Sequence, residues 1–468
     1  MKKYLALFIG MLFVLGFAAT AFAIHAEIPS ETQAVVAKGT TQITLGGEIR
    51  VRGEFRDNIR DFNDNKVDRD AYWDQRVRFS VEAKVSPNTT GFIQLESGNA
   101  DNNDNVTWGV FDPGAGALGL YKEGNAKKGD VRILQAWILH QGSGLLGIPA
   151  LVKVGHMPVK IGTGLFLDHS KFGDDALLFG ISPVKNMDLI LGTLKFKEGT
   201  NASPVRSTSL NDDATAYALL LNYPIDKNTR IGADVTYVDQ QNIGNTGVGA
   251  ILPNINLWNF GINGDINIAG FGIKADIEMQ AGKIADAAGE PKFKGWAAMG
   301  GISYKFAPVK LSLDVAYGSG DDNANDNKIK TFITTQGADQ HYTYVYEYRT
   351  VNAANALSGG IANTWYVKVG ANADLTKDLN ADLNLYYLRA VKKVLGPSAA
   401  VLGITTTPTD SKNIGTEIDG KITYKIDRNL QYWVEGGYLF AGNFWKAVTA
   451  GKNPDDAYAI RHGIMLNF

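Results

Sequence analysis

From Ile43 to Arg56 the chain alternates with a period of two. Ile43, Leu45, Gly47, Ile49, Val51, Gly53 and Phe55 interleave with Thr44, Gly46, Glu48, Arg50, Arg52, Glu54 and Arg56. A helix repeats every 3.6 residues and cannot sort these residues by face, whereas a strand puts successive side chains on opposite faces. The pattern recurs. Val77, Phe79, Val81, Ala83 and Val85 alternate with Arg76, Arg78, Ser80, Glu82 and Lys84, and Ile273, Ala275, Ile277 and Met279 alternate with Lys274, Asp276 and Glu278. Near the end Ile418, Gly420, Ile422 and Tyr424 alternate with Glu417, Asp419, Lys421, Thr423 and Lys425. These strands build sheets with one apolar face and one charged face. Past residue 23 no apolar run approaches the length of a membrane helix, which leaves a soluble sandwich or a membrane barrel.

Three features favour the barrel. Connections alternate in length. Ser86-Pro87-Asn88, Tyr223 to Arg230, Ala269-Gly270, Ala307-Pro308, Thr376-Lys377-Asp378 and Asp427-Arg428-Asn429 are short, whereas Asn99 to Asp130 and Asp321 to Ala362 are long and rich in Asn, Asp and Gly. Aromatics on the apolar phase gather at strand ends. Phe271, Tyr304, Phe306, Tyr424 and Tyr432 lie near short turns, and Phe55, Tyr237, Trp258, Trp296, Tyr317, Trp365, Tyr387 and Tyr438 lie near long loops. Two aromatic belts match the two interfaces of a membrane. Finally, the chain ends on Tyr458, Ile460, Ile464, Leu466 and Phe468 in apolar phase. A terminal Phe on such a strand resembles the signal read by bacterial barrel-assembly machinery, which would make that machinery a partner. His462 shares this phase and fits it poorly without a bulge or a neighbouring groove.

The expected fold is all-β: a single transmembrane antiparallel up-and-down barrel. An up-and-down order with both ends in the periplasm requires an even strand number. Eighteen strands satisfy it, near residues 42–56, 73–86, 90–98, 131–140, 150–161, 175–182, 187–197, 214–223, 229–240, 256–268, 271–282, 294–306, 309–319, 363–375, 378–391, 413–426, 430–441 and 456–468. Sixteen and twenty are the alternatives. The run His341–Tyr348 also alternates and reads as a loop hairpin beyond the membrane; crossing strands there would give twenty.

Lys2, Lys3, an apolar stretch from Leu5 to about Ala19, and Ala21-Phe22-Ala23 read as a signal peptide expected to be cleaved after Ala23, the alternative being an uncleaved anchor helix. Residues 24–41 read as a short periplasmic segment and 42–468 as the barrel. The localisation implied is the bacterial outer membrane, with its lipid as partner. The net charge of −2 and the lack of a basic block speak against nucleic acid. The absence of Cys excludes disulfides, thiol chemistry and covalent c-type haem.

At this strand number a barrel leaves an aqueous lumen. Strand five runs into VKVGHMPVKIGTGLFLDHSKFGDD, residues 152–175, a strand end with a Gly-rich departure and no returning strand pattern. A loop folded into the lumen near 162–175 is expected. Val154-Gly155-His156-Met157-Pro158 followed by Gly162-Thr163-Gly164 resembles the alginate-export and substrate-specific porin families, where a Val-Gly-Arg-Gln-Pro-like strand end precedes a pore loop. His156-Met157 departs from the Arg-Gln of that pattern, so the resemblance implies barrel type and not substrate. The constriction expected here comprises His156, Gly162, Gly164, Asp168, Asp174 and Asp175. Barrel closure brings Arg461 beside Arg50, Arg52, Arg76 and Arg78 as a basic wall. General porins set such a wall against an acidic loop, which gives a transverse field. The alternative is that these arginines pair with Glu48, Glu54, Asp74 and Glu82 as ordinary solvated charges.

Passive diffusion of small hydrophilic solutes or ions is the leading function. Export of an anionic polysaccharide, implied by the resemblance, and a sheath for a periplasm-spanning electron-transfer partner are the alternatives. No catalytic residue, metal or cofactor is expected. His25, His140, His156, His169, His341 and His462 lack zinc spacing, and no Gly-x-Ser-x-Gly elbow occurs. Asp101–Asn105 and Asp321–Asp326 offer calcium-type oxygens without a full calcium-loop pattern, and read better as solvated loops. Porins often trimerise; no patch in the sequence marks an interface.

Overall fold

The computed structural model describes residues 34–38, 41–66, 68–98, 106–107, 130–143, 147–197, 213–241, 254–285, 289–323, 326–336, 341–350, 360–395 and 407–468. The expected signal peptide and the Asp101–Asn105 run lie outside the described residues. Eighteen long strands form one closed sheet. They are β1 Thr41–Asp57, β2 Asp70–Ser86, β3 Thr89–Gly98, β4 Asp130–Gly142, β5 Ala150–Met157, β6 Asp174–Val184, β7 Met187–Lys197, β8 Ala214–Pro224 and β9 Thr229–Gln240. They continue as β10 Ile255–Ile268, β11 Phe271–Ile284, β12 Trp296–Phe306, β13 Val309–Gly318, β14 Thr364–Asp374, β15 Leu379–Ala390, β16 Asn413–Lys425, β17 Leu430–Ala441 and β18 Ala457–Asn467. Each pairs antiparallel with its neighbours in sequence. β18 closes on β1 from Glu48↔Asn467 to Asp57↔Tyr458. The expected strands at 175–182 and 187–197 form the hairpin β6–β7, and the strand number is that of the leading expectation.

Chemistry at the ends explains the closure. Phe468 and Gly47 exchange backbone hydrogen bonds (2.6 and 3.0 Å). A Cβ at Gly47 would overlap the Phe468 ring, so only glycine lets the last aromatic lie flat across the seam. The Ala269-Gly270 turn between β10 and β11 has both residues at positive φ, 51° and 85°, as a two-residue turn matched to strand twist requires.

Parity sorts the two faces. Ile49, Val77, Phe79, Ile262, Ile277, Leu313 and Ile464 project outward and are exposed, whereas Glu48, Arg52, Asp74, Arg76 and Glu278 point inward and are buried. No helix among the described residues is long and apolar enough to cross a membrane; strands do the crossing here. Rings of neighbouring strands meet in both aromatic belts. Tyr217, Tyr237 and Trp258 stack in register toward the long loops at 6.4 and 4.6 Å, and Phe271 lies 4.4 Å from Tyr304 at the short turns. An outward face this apolar matches hydrocarbon. Ile277→Arg, mid-strand on that face, is expected to destabilise the barrel by about 2–4 kcal/mol. Urea unfolding in lipid vesicles measures it, and a change within about 0.5 kcal/mol, typical of neutral surface positions, would contradict a lipid-facing Ile277.

His462 sits on this face in a niche that replaces lipid with partners. Gly53 beside it on β1 has no side chain, Trp73 packs edge-on at 4.9 Å, and the Tyr432 hydroxyl is 2.9 Å from Nδ1.

Two expectations need correction. Strand five was expected to reach residue 161 but ends at Met157, because Pro158 has no N–H for the ladder. The run His341–Tyr348 is neither a hairpin nor outside the barrel. It forms no strand, closes into one helical turn at Tyr346–Thr350, and has Tyr344, Val345 and Tyr346 buried.

Candidate functional site: a lumen narrowed by two inserted loops

Residues 158–173, between β5 and β6, fold inward. Ile161, Phe166 and Leu167 are almost completely buried there, against Phe332 and Ile333 of the segment between β13 and β14. The tip crosses to the far wall, where Thr163 donates from its backbone N–H (2.9 Å) and hydroxyl (2.5 Å) to Asp276 on β11. Gly162 and Gly164 have φ of 58° and 94°, which lets the backbone double back there.

The second inserted segment meets the first. Leu167 and Asp168 pair in parallel with Thr335 and Gln336. Gln280 on β11 clamps Ile333 through both its amide atoms (2.6 and 2.9 Å). Further on, three successive backbone N–H groups dock on two wall carboxylates of β16. Tyr344 donates to Asp419 (3.0 Å), while Val345 and Tyr346 donate to the two oxygens of Glu417 (2.5 and 2.9 Å). Arg349 then reaches Glu54 on β1 at 3.0 Å, stacked over the Tyr344 and Tyr348 rings at 3.9 and 4.2 Å. The carboxylates come from strands whose inward phase is legible, but their partner is a loop. The available signal was the concentration of tyrosines in HYTYVYEY, too apolar for a solvated loop.

Of the expected basic wall, all five arginines are brought together on β1, β2 and β18, each beside a carboxylate. Arg52 holds Asp74 at 2.7 Å and Arg50 lies 4.0 Å from it. Arg76 holds Glu48 at 2.6 Å, Arg78 holds Glu96 at 2.5 Å, and Arg461 holds Glu435, which Lys421 also approaches at 3.4 Å. Cross-strand pairing of opposite charges on one face explains the ladder. Glu54 is taken by the loop rather than by the wall, and Glu96 and Glu435, which sequence reasoning did not single out, supply the other partners.

The loop's acids divide. Asp168 pairs with Lys160 at 2.9 Å, and Asp174 is hydrogen-bonded to His169 at 2.7 Å, so both are compensated locally. His156 and Asp175 were expected at the constriction and are not there. Because β5 continues to Met157 and β6 begins at Asp174, His156 falls in phase with the outward Val154, and Asp175 with the outward Leu177. They pair with each other at 2.8 Å on that face. The acids that do oppose the arginines are Asp234, Asp276 and Glu278 on β9 and β11, half-way round the barrel from β1 and β2.

A closed charged lumen inside an apolar, aromatic-belted wall, narrowed by loops of its own chain, defines a transmembrane β-barrel of porin type. The comparisons agree on that architecture. The model of the alginate-export family matches residues 234–457, just under half of the chain. No curated protein matches the chain by sequence. Among solved structures, Pseudomonas aeruginosa OccK9 (OpdG) superposes with a TM-score of 0.54 at 11% identity, covering 91% of this chain and 98% of that one. The outer membrane protein OprD of the same organism gives 0.53 at 10% identity, with 91% and 93% covered. OccK2 (OpdF), solved in complex with glucuronate, gives 0.52 at 11% identity, with 91% and 98% covered. At such identities the likeness concerns the fold.

Proposed function

We propose that the protein is a passive channel of the bacterial outer membrane for small hydrophilic solutes, reached by export and cleavage after Ala23. The observation that carries this is the closed eighteen-strand barrel whose inward face bears paired charges and whose lumen holds inserted segments of the same chain, residues 158–173 and, among the described residues, 326–336 and 341–350. A water-filled lumen with charged walls selects by size and sign without an energy source. The arginine wall suits carboxylate-bearing solutes, and a relative of the same fold was solved with glucuronate. Proteoliposomes are therefore expected to swell faster in sodium glucuronate than in a neutral sugar of the same size. Equal rates would remove the preference for carboxylates, and no swelling in either would remove the open channel.

Export of an anionic polysaccharide is the second reading, favoured by the family match over residues 234–457. Its carboxylates would meet the same arginines. Purified barrel that conducts ions steadily in a planar bilayer supports the diffusion channel, whereas conductance seen only once the loops are displaced supports the exporter. A sheath around a redox partner fits less well, because two loops of the same chain occupy the space such a partner needs.

A further inference from the structure

We propose that Lys153, held against the Trp137 ring, is a second binding position for small ring-bearing carboxylates, on the lumen wall between the constriction and the short turns. Three neighbouring strands build it. Phe92 on β3 stands in register with Trp137 on β4, and Trp137 with Gly155 on β5. Their chain neighbours Ile93, Ile138 and Val154 are exposed on the outer face, so alternation turns Phe92, Trp137 and Lys153 into the lumen. Gly155 offers no side chain beside Trp137. Lys153, the next inward residue toward the turn, lies across the ring instead, with Nζ 4.0 Å from its centroid. The inserted loop leaves the wall after Met157, which places Lys153 about 13 Å nearer the short turns at roughly 3.3 Å per residue.

The ring that carries Lys153 is itself fixed. Phe92 and Trp137 stack at 5.2 Å. The Trp137 indole N–H donates to Gln135 Oε1 at 3.2 Å, and Gln135 Nε2 donates to Gln94 Oε1 at 3.1 Å. Among the described residues Gln94 Nε2 is left without a protein acceptor, so its N–H groups are available to a solute hydroxyl.

Charge balance separates Lys153 from the other lumen cations. Arg50, Arg52, Arg76, Arg78 and Arg461 each stand beside a carboxylate, as do Lys274, Lys368 and Lys421. Among the described residues Lys153 has no acidic partner. Leu139 and Leu178 flank it in register on β4 and β6. The acid level with Phe92 is Glu82 on β2, three strands from Lys153, or about 14 Å at roughly 4.8 Å per strand. A cation–π contact holds an ammonium in place but compensates it less than a carboxylate does. A carboxylate that reaches Lys153 therefore gains a charge-assisted hydrogen bond without first breaking an ion pair, whereas at the arginine wall it must compete with Asp74, Glu48 and Glu96. The apolar flanks strengthen the field of the lone cation and suit the body of a ring. The subsite rests on the channel reading, which supplies the solute.

The experiment is calorimetric titration of the full detergent-solubilised barrel with sodium glucuronate, with folding checked by heat-modifiable gel migration. Saturable binding is expected, weakened about tenfold or more in Lys153→Met, as befits loss of a hydrogen bond to a charged group. Lys84→Met, at an exposed lysine of the same lumen face on β2, should leave it unchanged. No saturable binding, equal affinity in Lys153→Met, an equal loss in Lys84→Met, or equally tight binding of glucose would each overturn the subsite. Should Lys153→Met fail to fold, Lys153→Gln decides by the same criterion. Binding is read here without transport. A barrel that binds glucuronate through Lys153 yet passes no ions would overturn the channel reading alone, and a conducting barrel whose binding ignores Lys153 would overturn the subsite alone.

Discussion

Replacing Arg349 with alanine is expected to raise single-channel conductance and open-channel noise without unfolding the barrel. Arg349 and Glu54 are both almost fully buried and 3.0 Å apart. Arg349 also donates to the Tyr344 carbonyl and lies between two tyrosine rings. Removing one partner of a buried pair leaves the other charge uncompensated, typically at about 3–5 kcal/mol. Here the cost does not fall on the sheet, because every strand keeps its ladder. It falls on the docked position of the loop. At about 1.4 kcal/mol per tenfold change in an equilibrium, that loss shifts the loop toward undocked forms by at least a hundredfold. The amides of Tyr344, Val345 and Tyr346 still hold Asp419 and Glu417, so the segment is tethered rather than released, and fluctuation rather than one larger open level should result. Arg349→Lys should fall between the native residue and alanine, since the ammonium keeps a charge for Glu54 but cannot serve Glu54 and the Tyr344 carbonyl in one planar fork. Planar-bilayer recording measures both, and unchanged conductance in Arg349→Ala would show that this contact does not hold the constriction.

The barrel was legible because its signal is local. Alternation over a dozen residues, turn chemistry at Ala269-Gly270, and aromatics at strand ends each depend on a strand and its immediate neighbours. The same locality placed Arg50, Arg52, Arg76, Arg78 and Arg461 on one wall once closure was assumed. What was not legible depends on distant pairing. The docking of 341–350 requires Glu417, Asp419 and Glu54, which lie far from the loop in sequence and look like ordinary inward residues. Its tyrosines alternate because they pack on both sides of a turn inside a lumen, not because they form a strand. His156 and Asp175 were misplaced because the strand phase was not followed to its end: His156 stands two residues from the outward Val154 and Asp175 two from the outward Leu177, so both share the outward face. His462 needed a glycine on a strand some four hundred residues away in sequence to make room for it.

Neutralising Arg50, Arg52 and Arg76 together should have the largest effect on selectivity, and the pairing sets its direction. In the native wall these arginines share Asp74 and Glu48. Substitution by glutamine therefore removes three positive charges and leaves two carboxylates, Asp74 and Glu48, without them. The near wall changes from a balanced ladder with basic character to one dominated by Glu48, Asp74, Glu54 and Glu96, with Arg78 and Arg461 remaining. The wall of β1 and β2 then presents net negative charge to permeating ions where it presented paired charges before. Fields in such clefts change local ion concentrations by about tenfold or more, so the anion-to-cation permeability ratio should fall on the order of tenfold, with the reversal potential in a salt gradient moving to the cation side. The effect should weaken steeply with ionic strength, because the Debye length shrinks to roughly 3 Å at 1 M. A reversal potential that stays put at low salt would mean that permeating ions do not pass along this wall, and would move the conducting path away from β1 and β2.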